Sequence, residues 1–336
     1  MKKLIAFALT AVMVMSISAC GGKSSSAPSA APVAAGSSAA SPATSTFPER
    51  PIELVACYGP GGGHDIMLRT ALKIINAENL ADGAVMNVVN KEGGSGAVGM
   101  GYVNTHAGDD YYLMCVTSSF LTTPLSTKTG VTYKDFTPIA CLGIDPSIIV
   151  VHKDSGITSM EELLSAPRTA GGTGTGSIDN IICNKLIAAS EQDINYIPYQ
   201  GDGELVTALL GKQVDFICTN VNSCSEYLAT GDFIGIGLAT AERNEELSEI
   251  PTLIEQGYDI NLGVFRGIAA PKDISEEAKQ YYMGLFTELS ASNSWNEQYL
   301  GANGVQKNLL LGDDFASYLD TLNGEYETAM KEMGLI

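Results

Sequence analysis

Apolar and polar positions along the chain switch repeatedly between two rhythms. Short runs rich in β-branched residues, at 52–57, 85–90, 111–116, 168–171, 195–197 and 214–218, have the look of buried strands. Between them, 65–78, 96–105, 177–189 and 203–210 space their apolar residues three and four apart, which predicts helices. Strand and helix alternating through short loops predicts an α/β fold with mainly parallel sheets. Right-handed crossovers would bring the loops that follow the strands to one edge, where ligands bind. Two longer strand-like segments break the alternation: 138–152, with Pro146 inside it, and 260–271. They could carry the chain from one lobe to another and back. Beyond them the pattern is helical, at 275–289, 294–300 and 313–333, with Asp313 placed to cap the last helix.

The first residues follow a different logic. Lys2 and Lys3 precede an apolar run over 4–17, and then comes Ile17-Ser18-Ala19-Cys20-Gly21. The run is too short for a membrane span and fits an export signal over residues 1–20. Its ending resembles a bacterial lipobox, in which Cys20 becomes the lipidated first residue. The alternative is a plain cleaved signal with an incidental cysteine. Residues 21–46 are dominated by Ser, Ala, Pro, Gly and Thr, cannot bury a core and read as a flexible tether. The folded body is therefore expected from Phe47 onward, soluble and tethered.

Composition narrows the partners. A net charge of −19 would repel phosphates, so nucleic acid is excluded as a partner. A small anionic ligand stays possible, because backbone N–H groups set the local field of a closed site. Six cysteines lie in the body: Cys57, Cys115, Cys141, Cys183, Cys218 and Cys224. Export permits disulfides, yet the apolar runs around most of them favour buried free thiols. No CxxC pair supports a zinc site, and nothing calls for a cofactor.

Three glycine-rich loops carry the candidate chemistry. The first is Gly59-Pro60-Gly61-Gly62-Gly63-His64-Asp65, between a strand and a helix. Glycine lets the backbone approach a bound group, and the helix start offers unpaired N–H groups that suit a carboxylate. Asp65 could cap the helix or meet a polar group of a ligand. The absence of Gly-Lys-Ser or Gly-Lys-Thr argues against nucleotide hydrolysis. The second, Gly94-Ser95-Gly96-Ala97-Val98-Gly99, is a literal G-x-G-x-x-G, but no acidic residue follows at the spacing a dinucleotide site needs. The third is Gly171-Gly172-Thr173-Gly174-Thr175-Gly176-Ser177, where Thr175 and Ser177 could donate to a carboxylate or cap the helix. It is expected to face the first loop across a cleft.

With these loops in place, the body from Phe47 to Ile336 resembles the tripartite tricarboxylate transporter substrate-binding family, the Bug receptors. The resemblance opens with Phe47-Pro48-Glu49-Arg50-Pro51-Ile52 and the first glycine loop. It continues in order through Asn90-Lys91-Glu92-Gly93-Gly94-Ser95-Gly96, Phe136-Thr137-Pro138-Ile139-Ala140 and Gly172-Thr173-Gly174-Thr175-Gly176-Ser177. Ile197-Pro198-Tyr199-Gln200-Gly201, Leu210-Gly211-Lys212-Gln213-Val214-Asp215 and Glu249-Ile250-Pro251-Thr252-Leu253 complete the series. No single piece is diagnostic, but the ordered series is specific.

The resemblance implies a two-lobed, type II periplasmic-binding-protein-like fold. Residues 47–140 with 265–336 would form one lobe and 141–264 the other. It implies a monomeric, extracytoplasmic receptor that catches a small carboxylate (a di- or tricarboxylate, amino acid or aromatic acid) in the interlobe cleft. The receptor would deliver it to the permease subunits of a tripartite transporter by hinge closure at 139–151 and 262–268. Ligand contacts carry over to Gly62, Gly63 and Asp65, to Thr175, Gly176 and Ser177, to Ser118 and Ser119, and to Tyr199, Gly201 and Asn220. His64 stands where Thr is usual and Asn180 where His is common, which points to a different ligand. Arg266 could grip a second carboxylate, or be an ordinary surface arginine. Two rival readings are a secreted hydrolase using His64 and a partner that presents ligand to a sensor kinase.

Overall fold

A computed structural model describes residues 47–127, 130–199, 201–243 and 247–336. The expected export signal, Cys20 and the expected tether lie outside the described residues. The first elements are β1 (Ile52–Ala56), α1 (Gly63–Glu78), β2 (Met86–Asn90), α2 (Ala97–Asn104), β3 (Tyr112–Val116) and α3 (Ser119–Ser126). Next come β4 (Phe136–His152), α4 (Met160–Leu163), β5 (Arg168–Thr173), α5 (Ile178–Ser190), β6 (Ile194–Tyr199) and α6 (Asp202–Leu210). The chain continues through β7 (Phe216–Asn220), α7 (Val221–Thr230), β8 (Phe233–Leu238) and β9 (Gly263–Pro271). It ends with α8 (Glu276–Ala291), α9 (Asn293–Trp295), β10 (Gln306–Leu311) and α10 (Gly312–Glu332).

Among the described residues the strands follow the order β2-β1-β3-β9-β4-β7-β5-β6, with β10 and β8 also paired to β4. Pairing is parallel between β1, β2 and β3 and between β5, β6 and β7, as strand–helix–strand units require. It is antiparallel wherever β4 or β9 takes part, so the sheet is mixed rather than mainly parallel. Each half-sheet with its helices makes one lobe.

The strand that joins them is β4. Its residues are buried almost without interruption, as expected of a strand covered on both faces. Phe136 to Pro146 pair with β9, whereas Ser147 to Val151 pair with β7. Proline cannot donate to a ladder. Pro146 falls where one set of partners ends and the next begins, opposite Gly263 at the start of β9.

Several expectations are corrected. The C-terminal part is not helical throughout, because β10 inserts beside β4. Its polar first half, Gln306-Lys307-Asn308, hides the strand from an apolar pattern. Asp313 does not cap α10: Leu311 is the N-cap, and Asp313 lies exposed in the first turn, 3.5 Å from Lys279. The expectation of buried free thiols holds for all six body cysteines.

The packing divides along the same lines. Ile52, Leu54, Ile139, Ile268, Phe286 and Trp295 belong to one core, on the first half-sheet. Ile148, Val150, Leu205, Leu209 and Ile217 belong to another, on the second. A third runs through both, from Val55, Met114 and Phe120 to Ile149, Ile181 and Phe216, and includes Phe315, Leu319 and Tyr326 of α10.

Candidate functional site

The first glycine loop is held by its own hydrogen bonds. Gly62 N–H donates to the Gly59 carbonyl at 3.1 Å, and Gly61 takes a positive φ of 78°. Asp65 turns back into the loop and accepts from Gly61 N–H (3.0 Å), Arg69 Nε (2.9 Å) and Asn90 Nδ2 (2.9 Å). The bond from Arg69, with those from Gly61 and Asn90, holds the Asp65 carboxyl down at about 2. Asp65 therefore fixes the loop's shape from within. A Cβ on Gly63 would lie 3.0 Å from a terminal nitrogen of Arg266, so a side chain there would press on the guanidinium.

His64 faces the other way. It is buried, its Nε2 lies 3.1 Å from Thr117 Oγ1, and its ring meets Tyr58 edge-on at 4.7 Å. Burial, with the nearby Arg266 charge, pushes its pKa down to about 3, so it is neutral at pH 7. Thr117 Oγ1 is 3.3 Å from Ser119 Oγ, and Ser118 is buried beside them. His64, Thr117 and Ser119 border a void of only about 10 Å³, room for about one water. A base walled in like this gives the hydrolase reading little support.

The second loop is a packing device. A Cβ at Gly99 would come within 2.6–2.9 Å of Cys57, so glycine there lets α2 lie directly on the residue that follows β1.

The third loop is closed by its neighbours. Thr173 donates its N–H and Oγ1 to Asp179 Oδ2, at 2.8 and 2.7 Å. Ser177 Oγ accepts from Asn180 N–H, capping α5, and Gly176 N–H donates to Asn180 Oδ1. Tyr196 donates its hydroxyl to the Gly174 carbonyl at 2.9 Å. Gly176 is buried against Met330 and Leu335 near the C-terminus, while Thr175 is exposed. Burial pushes the Asp179 carboxyl up to about 6, against the bonds from Thr173.

A cavity of about 250 Å³ opens on the first loop. Gly61, Gly63 and Ile66 form one wall, and Asp202, Asn220, Asn222 and Ser223 face them from the other lobe. The first loop thus shares this cavity with the starts of α6 and α7. The N-cap residues of α1, α6 and α7 (Gly62, Gly201 and Asn220) make no side-chain cap bond. Those starts leave N–H donors and a partial positive charge for a guest. Asn220 Nδ2 lies 3.5 Å from the Asp145 carbonyl. Tyr199 lies outside this lining, its carbonyl accepting from Gly174 N–H at 2.9 Å.

At the floor is a pair that only half emerged from the sequence. Arg266 donates to Asp145 Oδ2 at 2.5 Å, and both side chains are largely buried, 15% and 4% exposed. Arg266 Nε and Asp145 Oδ1 are buried without partners. Burial pushes the Asp145 carboxyl up, and the Arg266 charge pulls it back. Asp145 is hard to read from the sequence because it lies within an apolar strand. An acid in the middle of such a run, next to Pro146, is itself the signal of a paired or functional charge. Asp202, directly after Gly201, was readable as the first residue of a helix.

Comparison with known proteins adds an independent line. Residues 71–307 match the model of the tripartite tricarboxylate transporter family receptor, TctC. Protein BugT of Bordetella pertussis is 27% identical over 223 residues, covering 63% of this chain and 68% of its own. A ligand-free TctC solute-binding protein from Polaromonas superposes with a TM-score of 0.76 at 26% identity, covering 85% of this chain and all of its own. An R. palustris protein with adipate has a TM-score of 0.72, covering 86% of this chain and 98% of its own. At 21% identity it shows the fold alone.

Proposed function

The chain belongs to the tripartite tricarboxylate transporter receptor family, and from that premise we propose that it captures a small carboxylate between its lobes and delivers it to a membrane permease. One observation carries the reading: the cavity between the first loop and the α6 and α7 starts, where backbone N–H groups lack side-chain caps. Such donors suit an anion at little cost in reorganisation. The adipate in the R. palustris relative's structure is consistent with an organic acid as guest.

The lobes, divided at residues 47–140 with 265–336 and at 141–264, close by a hinge. It lies where β4 changes partners at Pro146 opposite Gly263. Ser118, Ser119, Thr175 and Tyr199 are carried as contacts of the closed state, whereas Gly176 and Ser177 are engaged within their own loop. Cys20 carries a lipid that holds the monomer at the outer face of a membrane. Among the described residues no helix is long and apolar enough to cross one.

Titration calorimetry of the full chain against a panel of mono-, di- and tricarboxylates tests the capture step. Saturable binding at one site, weakened by Gly63→Val, is expected. Heat from none of the acids, with a folded protein, sinks the proposal. Release of a Cys20→Ser variant from the membrane fraction checks the anchor.

A further inference from the structure

We propose that Tyr299 is a further specificity-determining residue, whose hydroxyl donates to the guest's carboxylate beside Arg266. This deepens the capture reading above and rests on it. Tyr299 lines the same cavity, yet only 2% of it is exposed. Its backbone carbonyl accepts from Asn303 Nδ2 at 2.7 Å, while its hydroxyl makes no hydrogen bond among the described residues. A tyrosine buried to this degree ordinarily gives its hydroxyl a partner. Arg266 and Asp145, both on the cavity wall, act electrostatically on that hydroxyl, so the polar end of the ring is the end near the guest. Burial raises its pKa, so it keeps its proton and can donate.

The fold holds this hydroxyl in register with the first loop. Asn296–Leu300 form a π-helix, a rare turn that recurs at functional sites. The Tyr299 ring stacks on Trp295, with centroids 4.3 Å apart and planes at 19°. Ser292 Oγ donates to Glu78 Oε1 and Lys73 Nζ to Gln298 Oε1, each at 2.9 Å, so the segment is bonded to α1 at two points. The start of α1 carries Gly63, beneath which lies one terminal nitrogen of Arg266. The other terminal nitrogen is bonded to Asp145. A carboxylate at the uncapped start of α1 therefore meets backbone N–H groups, the unbonded side of Arg266 and a phenol. A hydrogen bond from the phenol to a charged oxygen is a strong one. A site that supplies such a donor also rejects a guest that offers it no acceptor.

Trp295 is the only tryptophan of the chain, so its emission reports on the ring stacked against it. The test is calorimetry on the full chain with butyrate, succinate, adipate and citrate as probes, run beside a titration of that emission. Each probe that binds should bind Tyr299→Phe about tenfold or more weakly, because a hydrogen bond to a charged group is lost while the ring and its stack remain. The variant's melting curve should match that of the parent, since the hydroxyl has no partner within the protein to lose. A merely structural role would move the melting curve and leave the affinity alone. Saturation of the parent with a probe should change the Trp295 emission. Equal affinity of the folded variant, or an emission unmoved at saturation, overturns the inference and leaves carboxylate capture standing. The emission arm decides the matter even where the variant fails to fold. Absence of heat with every probe from the folded parent overturns carboxylate capture, and the inference with it.

Discussion

Two turns in this molecule share a recipe of strand, glycines and helix, and they end in opposite states. After β1, the start of α1 has no side-chain cap and opens on a cavity. After β5, the start of α5 is capped by Ser177, tied by Asn180 and covered at Gly176 by Met330 and Leu335. Even the acids differ. Asp65 is bonded by Arg69 and held down at about 2, whereas Asp179 is buried and pushed up to about 6. Glycine content alone therefore does not mark a binding loop. What matters is whether side chains have already used the backbone donors.

The largest test strikes the pair behind the open turn. Arg266→Ala leaves Asp145 buried and unpaired, and should cost about 3–5 kcal/mol in urea unfolding. A cost near zero would mean that the guanidinium does not support the first loop.

Next is the pH dependence of the closed turn. The folded pKa of Asp179 lies above its unfolded value, so the unfolded state releases its proton first. The sign follows: Asp179 makes the protein less stable as pH rises from about 4 to about 6, by about 3 kcal/mol at full extent. His64 acts the other way, adding stability as pH rises from about 3 to about 6.5. Asp179→Asn should therefore make stability climb more steeply with pH between 4 and 6. An unchanged profile of urea midpoints would contradict the burial argument.

A smaller effect separates the turns by ligand. Gly63→Ala, crowding Arg266, should weaken carboxylate binding by about tenfold, or about 1.4 kcal/mol. Ser177→Ala should cost about 1 kcal/mol of stability through its cap. Should Ser177→Ala weaken binding more than Gly63→Ala, the roles assigned to the two turns are reversed.

Much of this architecture could be read from the chain. The start of α1 was expected at Asp65 and lies at Gly63, because glycine gives no apolar signal to a periodicity. The segments that became β4 and β9 stood out through their buried runs and Pro146, whereas β10 was hidden by its polar half. At the site, Gly63, Asn220 and Arg266, each suggested by the sequence, line one cavity. The rest of the lining is not legible in the sequence. Asp145, Asp202 and Asn303 come together only through the threading of β4, and no local pattern encodes contacts between residues so far apart in the chain.

That threading also sets a timetable for assembly. A chain made from its N-terminus completes β5, β6, β7 and β8 well before β9 and β10 exist. Until they arrive, β3 keeps a bare edge, which can recruit foreign strands. The strands of the later-numbered half can pair early, although α5 still waits for α10 to cover it, while the strands that begin the sequence must wait for β9. A stalled or truncated product would accordingly show its damage at its front strands as well as at its cut end.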